Sequence, residues 1–315
     1  MVRLITDSDI QDMSLVTIAI EAVEMALDYR RNGALTSPPR HPVAIGSAGS
    51  LVFTAGGLDG GAAPVAGFRA YTTFNSERDE QIVAVWDVHV GSILGLFIGT
   101  KLGALRTGAI GGVAIRHLAR ADARIVGVIG SGLQARNQLE AAACVRDIEL
   151  AYVYSRNQTN RLSFAHDMQE RLGIPVVAVE TARHAVESSD IVICATSSSF
   201  PVIEAAWLKP GAHINTVGPK SIDAHELPVD VGISASLIAT DSSEQMLAYP
   251  KPFFLTGTSA MQRVVDLAGS IASDAFAHRQ REDITLFCST GLAGTEVLVG
   301  AKILEQAAVG IEITP

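Results

Sequence analysis

Basic residues, aromatics and cysteines are all scarce in this sequence, and two of these shortages close off a class of function. Twenty-four lysines and arginines face 33 aspartates and glutamates, a net charge of −9. No basic stretch is interleaved with aromatics, so the electrostatic footprint of a protein that grips phosphate backbones is absent and nucleic acid is excluded as a partner. The three cysteines, Cys144, Cys194 and Cys288, are far apart and each lies in an apolar run. That spacing fits neither a disulfide framework nor a zinc site and leads us to expect buried thiols in a reducing compartment. No run of about eighteen apolar residues occurs, and the opening MVRLITDSDI lacks the apolar core of about seven residues that a signal peptide needs. The expectation is a cytoplasmic protein with no membrane partner.

Glycine and apolar residues are abundant. Twenty-eight glycines beside only 5% aromatics imply many tight backbone approaches. A chain of 315 residues with 48% hydrophobic and 18% charged residues is an ordinary globular protein, long enough for roughly two domains of about 150 residues each. Its mean hydropathy of +0.29 implies a large apolar interior or a subunit interface, since apolar patches of that scale are rare on monomers.

The first forty residues read as helical, with Ile18, Ala22, Met25 and Tyr29 on one face, Ser14 as N-cap and Gly33 as the stop. From Pro38 to about Gly99 the pattern changes to short strand-like pieces (SLVFTA, VAGFRAYTTF, IVAVWDV) separated by the turns GGLDGG and NSERDE, an antiparallel or mixed sheet. Residues 102–119 resume helical spacing through Leu105, Ala109, Gly112 and Val113. Beyond Ala123, the apolar runs RIVGVIG, LAYVYS, PVVAV, DIVICAT, HINTVG, SLIATD and ITLFCS alternate with helical segments, the signature of a doubly wound parallel α/β sheet. The closing GLAGTEVLVGAKILEQAAVG reads as a helix with Leu298, Ala301 and Leu304 on one face.

The most specific local signal is the run Gly127-Val128-Ile129-Gly130-Ser131-Gly132-Leu133-Gln134-Ala135. It follows a predicted strand and opens a predicted helix, the context in which a G-x-G-x-x-A match points to a dinucleotide. Gly130 permits the tight turn, Gly132 the close approach of a pyrophosphate, and Ala135 close helix–strand packing, while the helix N-terminus offers free N–H groups to the negative charge. The next strand ends at Ser155, Arg156 and Asn157, where the ribose is read. Glu149 lies at the other end of that strand, so no carboxylate is in place for a ribose 2′-hydroxyl, whereas Arg156 suits a 2′-phosphate. NADP(H) is favoured, with NAD(H) as the alternative.

Arg106 is the only charge between Lys101 and Arg116. A guanidinium in such company must be paired, either with a buried carboxylate of the protein or with a substrate carboxylate. Arg69 lies in the apolar strand VAGFRAYTTF on the same face as Gly67 and Tyr71, a face that either lines a cleft or meets solvent, and Arg40 follows Pro38-Pro39 in an extended segment.

Together these stretches resemble the ornithine cyclodeaminase and mu-crystallin family over nearly the whole chain. The matching residues are Pro39-Arg40, Gly67-Phe68-Arg69, Trp86-Asp87 with Gly91, Arg106-Thr107, the GSGLQA loop, Tyr154 to Asn157, Thr196-Ser197-Ser198, Asn215 to Gly218 with Glu226-Leu227, Asp241-Ser242 with Glu244, and Ser289 to Ala293. The resemblance implies a Rossmann domain, residues 120–289, inserted in a discontinuous α+β substrate and dimerisation domain, residues 1–119 plus 290–315, and a homodimer. It implies that Arg40 and Arg106 hold the α-carboxylate of a small amino or imino acid against the nicotinamide, and that Thr196, Ser197, Val217, Gly218 and Gly291 line the cofactor. A hydride then passes to or from Cα, as in ketimine reductases and amino-acid dehydrogenases.

Two positions depart from the family. Where many members carry a lysine that assists proton transfer, this chain has Arg69, which neutralises charge but is no base near neutrality. Where ornithine cyclodeaminases carry an aspartate after Val217-Gly218, this chain has Lys220, a poor partner for the δ-ammonium of ornithine; Asp223 lies three residues further on. The expected enzyme is therefore an NAD(P)-dependent oxidoreductase in which Arg69 stabilises charge at the reacting carbon and Lys220 or water relays a proton. The alternatives are an ornithine cyclodeaminase and a non-catalytic, NADPH-binding protein of the mu-crystallin kind.

Overall fold

The computed structural model describes residues 1–60, 63–74, 80–272 and 279–313. The chain divides into two compact units, Met1–Arg106 with Gly291–Pro315, and Thr107–Thr290. In chain order the first part holds strand β1 (Val2–Thr6), helix α1 (Val16–Arg31), strands β2 (Leu35–Thr36), β3 (His41–Ala44), β4 (Ser50–Leu58), β5 (Val65–Thr72), β6 (Gln81–Asp87) and β7 (Ile93–Ile98), and helix α2 (Lys101–Leu118), within which the division falls. The second unit continues with β8 (Ile125–Ile129), α3 (Leu133–Val145), β9 (Leu150–Tyr154), α4 (Gln158–Leu172), β10 (Val176–Ala178), α5 (Ala182–Glu187), β11 (Ile191–Cys194) and β12 (His213–Thr216). It is completed by the hairpin β13 (Lys220–Ser221) and β14 (Ala224–His225), then α6 (Val229–Ser234), β15 (Leu237–Thr240), α7 (Ser243–Leu247), β16 (Val264–Asp266), α8 (Leu267–Ala272) and β17 (Thr285–Cys288). Helix α9 (Thr295–Gln306) and strand β18 (Ile311–Ile313) belong to the first unit.

Among the described residues, the first unit is built on an eight-stranded mixed sheet in the order β18-β1-β7-β6-β5-β4-β2, with β3 also on β4; β1 and β7 run parallel and the other pairs antiparallel. Helix α9 lies on β4 to β7 and α1 lies on α9. The opening is not all helical, because residues 2–6 form β1: a five-residue run is too short for its periodicity to separate strand from helix. Helix α1 buries Val16, Ala19, Ile20, Ala22, Val23, Ala26 and Leu27, so of the expected stripe only Ala22 is buried. Ile18, Met25 and Tyr29 flank an apolar arc that alanines widen. The N-cap is Leu15, with no side-chain cap, rather than Ser14; burial of Leu15 and Val16 sets the start in place of a hydroxyl. Gly33 stops the helix as expected, at φ +72° with its N–H on the Arg30 carbonyl. The turn NSERDE, apart from Glu80, and the last glycine of GGLDGG lie outside the described residues.

The second unit is an eight-stranded parallel sheet in the order β10-β9-β8-β11-β12-β17-β15-β16. Strand order reverses between β8 and β11, and at such a switch point the crevice beyond the strands' carboxyl ends takes the ligand. All seven apolar runs form strands. β16, the short VVD, was not foreseen because three residues carry no period. A buried polar chain ties the central strand to the helices above it: His213 Nδ1 meets Thr285 Oγ1 at 2.9 Å and its Nε2 meets Asn215 Oδ1 at 2.8 Å, while Asn215 Nδ2 donates to the Gly111 carbonyl and to Gln138 Oε1, both at 3.1 Å. Burial pushes His213 down to about 3, so it is a neutral structural link. Cys194 and Cys288 are buried as expected, but Cys144 is exposed, because it falls on the outer side of α3. No helix among the described residues is long and apolar enough to cross a membrane.

Candidate active site

Strand alternation puts Arg69 and Tyr71 on one face of β5. In register, Arg69 lies opposite Thr54 on β4 and Val83 on β6, and Tyr71 lies opposite Val52 and Gln81. Arg69 Nε donates to Gln81 Oε1 at 2.9 Å, and its guanidinium stacks 4.4 Å above the Tyr71 ring. Tyr71 Oη accepts from Arg40 Nη1 at 3.2 Å. Helix α9 brings Glu296 to this group in its first turn, fully buried. Thr54 Oγ1 donates to Glu296 Oε1 at 2.5 Å, Thr295 Oγ1 to Oε2 at 3.3 Å, and Arg106 Nε lies 3.6 Å from Oε2.

Two guanidiniums, Arg106 and Arg69, thus act on one buried carboxylate. Burial drives the Arg69 guanidinium down to about 10, Arg106 repels it further, and Glu296 offsets part of the fall. Burial pushes Glu296 up, but the attraction of Arg106 and Arg69 and the Thr54 hydrogen bond outweigh it and hold the carboxyl below its ordinary range. The partner of Arg106 left open by the sequence is therefore a protein carboxylate, at ion-pair distance only, and Arg106 Nε has no hydrogen-bond partner. Gly291 lets the Arg40 and Arg106 guanidiniums approach the backbone closely. Its φ is +93°, and a Cβ there would lie 2.9 Å from Arg40 Nη2 and 3.7 and 3.9 Å from Arg106 Nη1 and Nη2. The structure thus sets this residue, assigned from the sequence to the cofactor, beside the two arginines assigned to substrate.

In the second unit the strand ends form the other part of the chemistry. Gly130, at φ +116°, has the Ala195 carbonyl 2.3 Å from where a Cβ would be, so only glycine makes this turn. Around Gly132, the N-cap of α3, a Cβ would meet nothing within 4 Å. No side chain caps this helix, and the buried Gln134 Oε1 has no partner. Uncapped N–H groups and open space at Gly132 fit a pyrophosphate. Ser131 Oγ donates to Ser155 Oγ at 3.1 Å, joining the glycine loop to the end of β9, and Leu133 is exposed. Arg156 is exposed after β9, while Asn157 caps α4 by accepting from the Asn160 N–H. Glu149 stands at the start of β9, ion-paired with Arg124.

Thr196, Val217 and Gly218 come together around a residue to which the sequence reading gave no role. The fully buried Glu226 accepts on Oε2 from the N–H and hydroxyl of Thr196, both at 2.8 Å, and on Oε1 from the Thr216 hydroxyl (2.7 Å), Val217 N–H (3.0 Å) and Gly218 N–H (2.6 Å). It fixes the loops after β11 and β12 by hydrogen bonds alone; Ser197 lies exposed beside them. Lys220 opens β13 and its Nζ donates to the Gly218 carbonyl. Asp223 is exposed and ion-paired with Lys251.

Glu296, Thr54 and Tyr71 in the first unit, and Glu226 in the second, had been given no role from the sequence. Glu296 was detectable: it is the only charge between Gly291 and Ala301, the acidic counterpart of the isolated Arg106. Tyr71 and Thr54 carry no such mark, being ordinary strand residues.

The profile of the family described as ornithine cyclodeaminase/mu-crystallin matches residues 2–310. A Delta(1)-pyrroline-2-carboxylate reductase of Bacillus cereus is 34% identical over 230 residues, covering 72% of this chain and 70% of the relative. The solved structure of the Thermococcus litoralis Delta(1)-pyrroline-2-carboxylate reductase, in complex with NADH and L-proline, superposes with a TM-score of 0.87 at 32% identity, covering 99% of this chain and all of that one. An archaeal alanine dehydrogenase dimer with bound NAD gives a TM-score of 0.85 at 27% identity, covering 99% of both chains.

Replacing Glu296 by Ala leaves two buried guanidiniums uncompensated and lowers stability by about 3–5 kcal/mol, read from urea denaturation. Because the folded-state value of this carboxyl is depressed, its contribution in the wild type is full above the ordinary carboxylate range and is lost as pH falls through the folded value. The wild type therefore loses its margin over Glu296→Ala on acidification. Gly291→Ala, whose Cβ would displace the Arg40 guanidinium, weakens binding of a small carboxylate by about tenfold, roughly one lost charged hydrogen bond, in calorimetric titration.

Proposed function

The chain belongs to the ornithine cyclodeaminase/mu-crystallin family, and from that premise we propose that it is an NAD(P)-dependent oxidoreductase that transfers a hydride at the α-carbon of a small amino or imino acid. The observation that supports this reading is the Arg106 Nε, held at ion-pair distance from Glu296 without a hydrogen-bond partner, in the same unit as the Arg40 and Arg69 guanidiniums joined through Tyr71. Such a cluster wants a second carboxylate, and the planar forks of Arg40 and Arg106 suit its two oxygens. The pyrroline-2-carboxylate reductases act on a substrate of that kind by name.

The nicotinamide cofactor supplies or accepts the hydride when bound. The GSGLQA loop and the N-terminus of α3 hold its pyrophosphate, and Glu226 keeps Thr196, Val217 and Gly218 in a fixed shape. Arg40 and Arg106 orient the carboxylate so that Cα is presented in one pose, and orientation of this sort supplies much of the rate. Arg69, still charged at neutral pH, stabilises negative charge near Cα. Lys220 is already engaged with the Gly218 carbonyl, which suits the holding of that loop and leaves no carboxylate here for a substrate ammonium. NADP(H) is preferred over NAD(H): Arg156 is the charged residue at the end of β9, and the carboxylate of Glu149 is at its start. The apolar excess of the sequence and the dimeric alanine dehydrogenase support a homodimer.

With Delta(1)-pyrroline-2-carboxylate the protein oxidises NADPH, and with ornithine it releases no ammonia; ammonia release without net cofactor change overturns the reading. Arg40→Met lowers kcat/KM for the imine by about 100-fold, equivalent to about 2.7 kcal/mol. Arg156→Ala weakens NADPH by about tenfold or more in fluorescence titration and leaves NADH unchanged, since only the 2′-phosphate contact is lost.

A further inference from the structure

Reduction of an imine consumes a proton as well as a hydride, and we propose that Tyr71 supplies it, its hydroxyl acting as the general acid toward the substrate nitrogen. The inference rests on the imino-acid reading and extends it to the proton.

The groups around the arginine cluster leave few donors. The guanidiniums keep their protons at neutral pH, Arg69 included, since burial brings it only to about 10. Glu296 is an acceptor, the Thr54 hydroxyl is spent on it, and the Thr295 hydroxyl donates to the Leu292 carbonyl at 2.6 Å. Gln81 accepts from Arg69. Tyr71 differs from all of these: its oxygen accepts from Arg40 Nη1, and its own O–H donates to no described residue. The hydroxyl therefore has its acceptor side fixed and its proton available.

The same contacts prepare the oxygen for losing that proton. Arg40 already donates to Oη at 3.2 Å, and the Arg69 guanidinium lies 4.4 Å over the ring. Positive charge is thus in place where negative charge develops, without reorganisation at the moment of transfer. Arg40 also links the acid to the substrate. It is one of the two forks assigned to the carboxylate, and in an α-imino acid the nitrogen and the carboxyl carbon are both bonded to Cα, so a carboxylate on Arg40 brings the nitrogen toward Tyr71. In the step itself, Cα of the C=N bond accepts a hydride from the reduced nicotinamide. The π pair moves to nitrogen, the O–H bond of Tyr71 breaks and an N–H bond forms. The imine is reduced to the amine, the dihydronicotinamide is oxidised, and the phenolate recovers its proton from water.

Tyr71→Phe keeps the ring beneath Arg69 and removes only the hydroxyl. With Delta(1)-pyrroline-2-carboxylate its kcat falls by about 10²–10⁴-fold, the usual contribution of a general acid, while KM stays within about threefold. An N-methylated cyclic iminium carboxylate needs no proton to become the amine, so wild type and Tyr71→Phe reduce it at equal rates. A purely structural role slows both substrates alike and overturns the proposal, as does a selective loss on the unmethylated imine in Lys220→Met with none in Tyr71→Phe. A binding measurement tests the same contact without turnover. Picolinate carries a ring nitrogen beside its carboxylate and benzoate does not; the wild type binds picolinate about three- to tenfold more tightly by calorimetry, one neutral hydrogen bond's worth, and Tyr71→Phe equalises the two. No preference in the wild type contradicts the proposal. A wild type that prefers picolinate but reduces no imine refutes the reductase reading while the Tyr71 contact stands.

Discussion

One buried carboxylate, Glu296, makes it possible for the Arg69 and Arg106 guanidiniums to stand in a single patch of the first unit. Burying even one guanidinium without a partner is prohibitive, and each added one repels the rest. Glu296 offsets part of that cost from within an apolar helix, and the Thr54 hydroxyl donates to one of its oxygens. It does not neutralise the cluster. The Arg106 Nε is left at ion-pair distance rather than in a hydrogen bond, and the proposed binding of a substrate carboxylate draws on that. Gly291, lacking a side chain, lets the forks pack close to its backbone.

The second unit meets its own demand, a polyanionic cofactor, with almost no charge. Backbone N–H groups at the start of α3 and the bare turn at Gly130 and Gly132 do the work that cations do in the first unit. Glu226 is the counterpart of Glu296 in being buried and ionisable, but it is satisfied by three backbone N–H groups and two hydroxyls. Its task is to hold two strand-end loops in one shape. A chain of net charge −9 can thus prepare two sites for negative ligands, because local arrangement decides the field that a ligand meets.

Much of this was legible in the sequence wherever the signal was local. The glycine loop announces itself because its turn, its helix and its strand are contiguous. Arg106 stands out because it is alone in an apolar helix. The parallel sheet follows from alternation over a long stretch. What was hidden depends on pairing across the fold. Thr54 and Glu296 are 242 positions apart, and nothing in one predicts the other until β4 and α9 are brought together. Tyr71 looks like any strand aromatic until Arg40 is seen to donate to it. Misplacement of the α1 stripe has the same origin: alanines are weak markers of a face, and the packing against α9 decides which of them are buried.

The account stands or falls on hydride transfer at Cα of a carboxylate-bearing substrate. The most direct measurement uses NADPH carrying deuterium at the transferable C4 position together with Delta(1)-pyrroline-2-carboxylate, with the product examined by mass spectrometry and proton NMR. The account predicts proline labelled with one deuterium at the α-carbon. Proline without label, or no proline while ornithine is converted with release of ammonia, would contradict it.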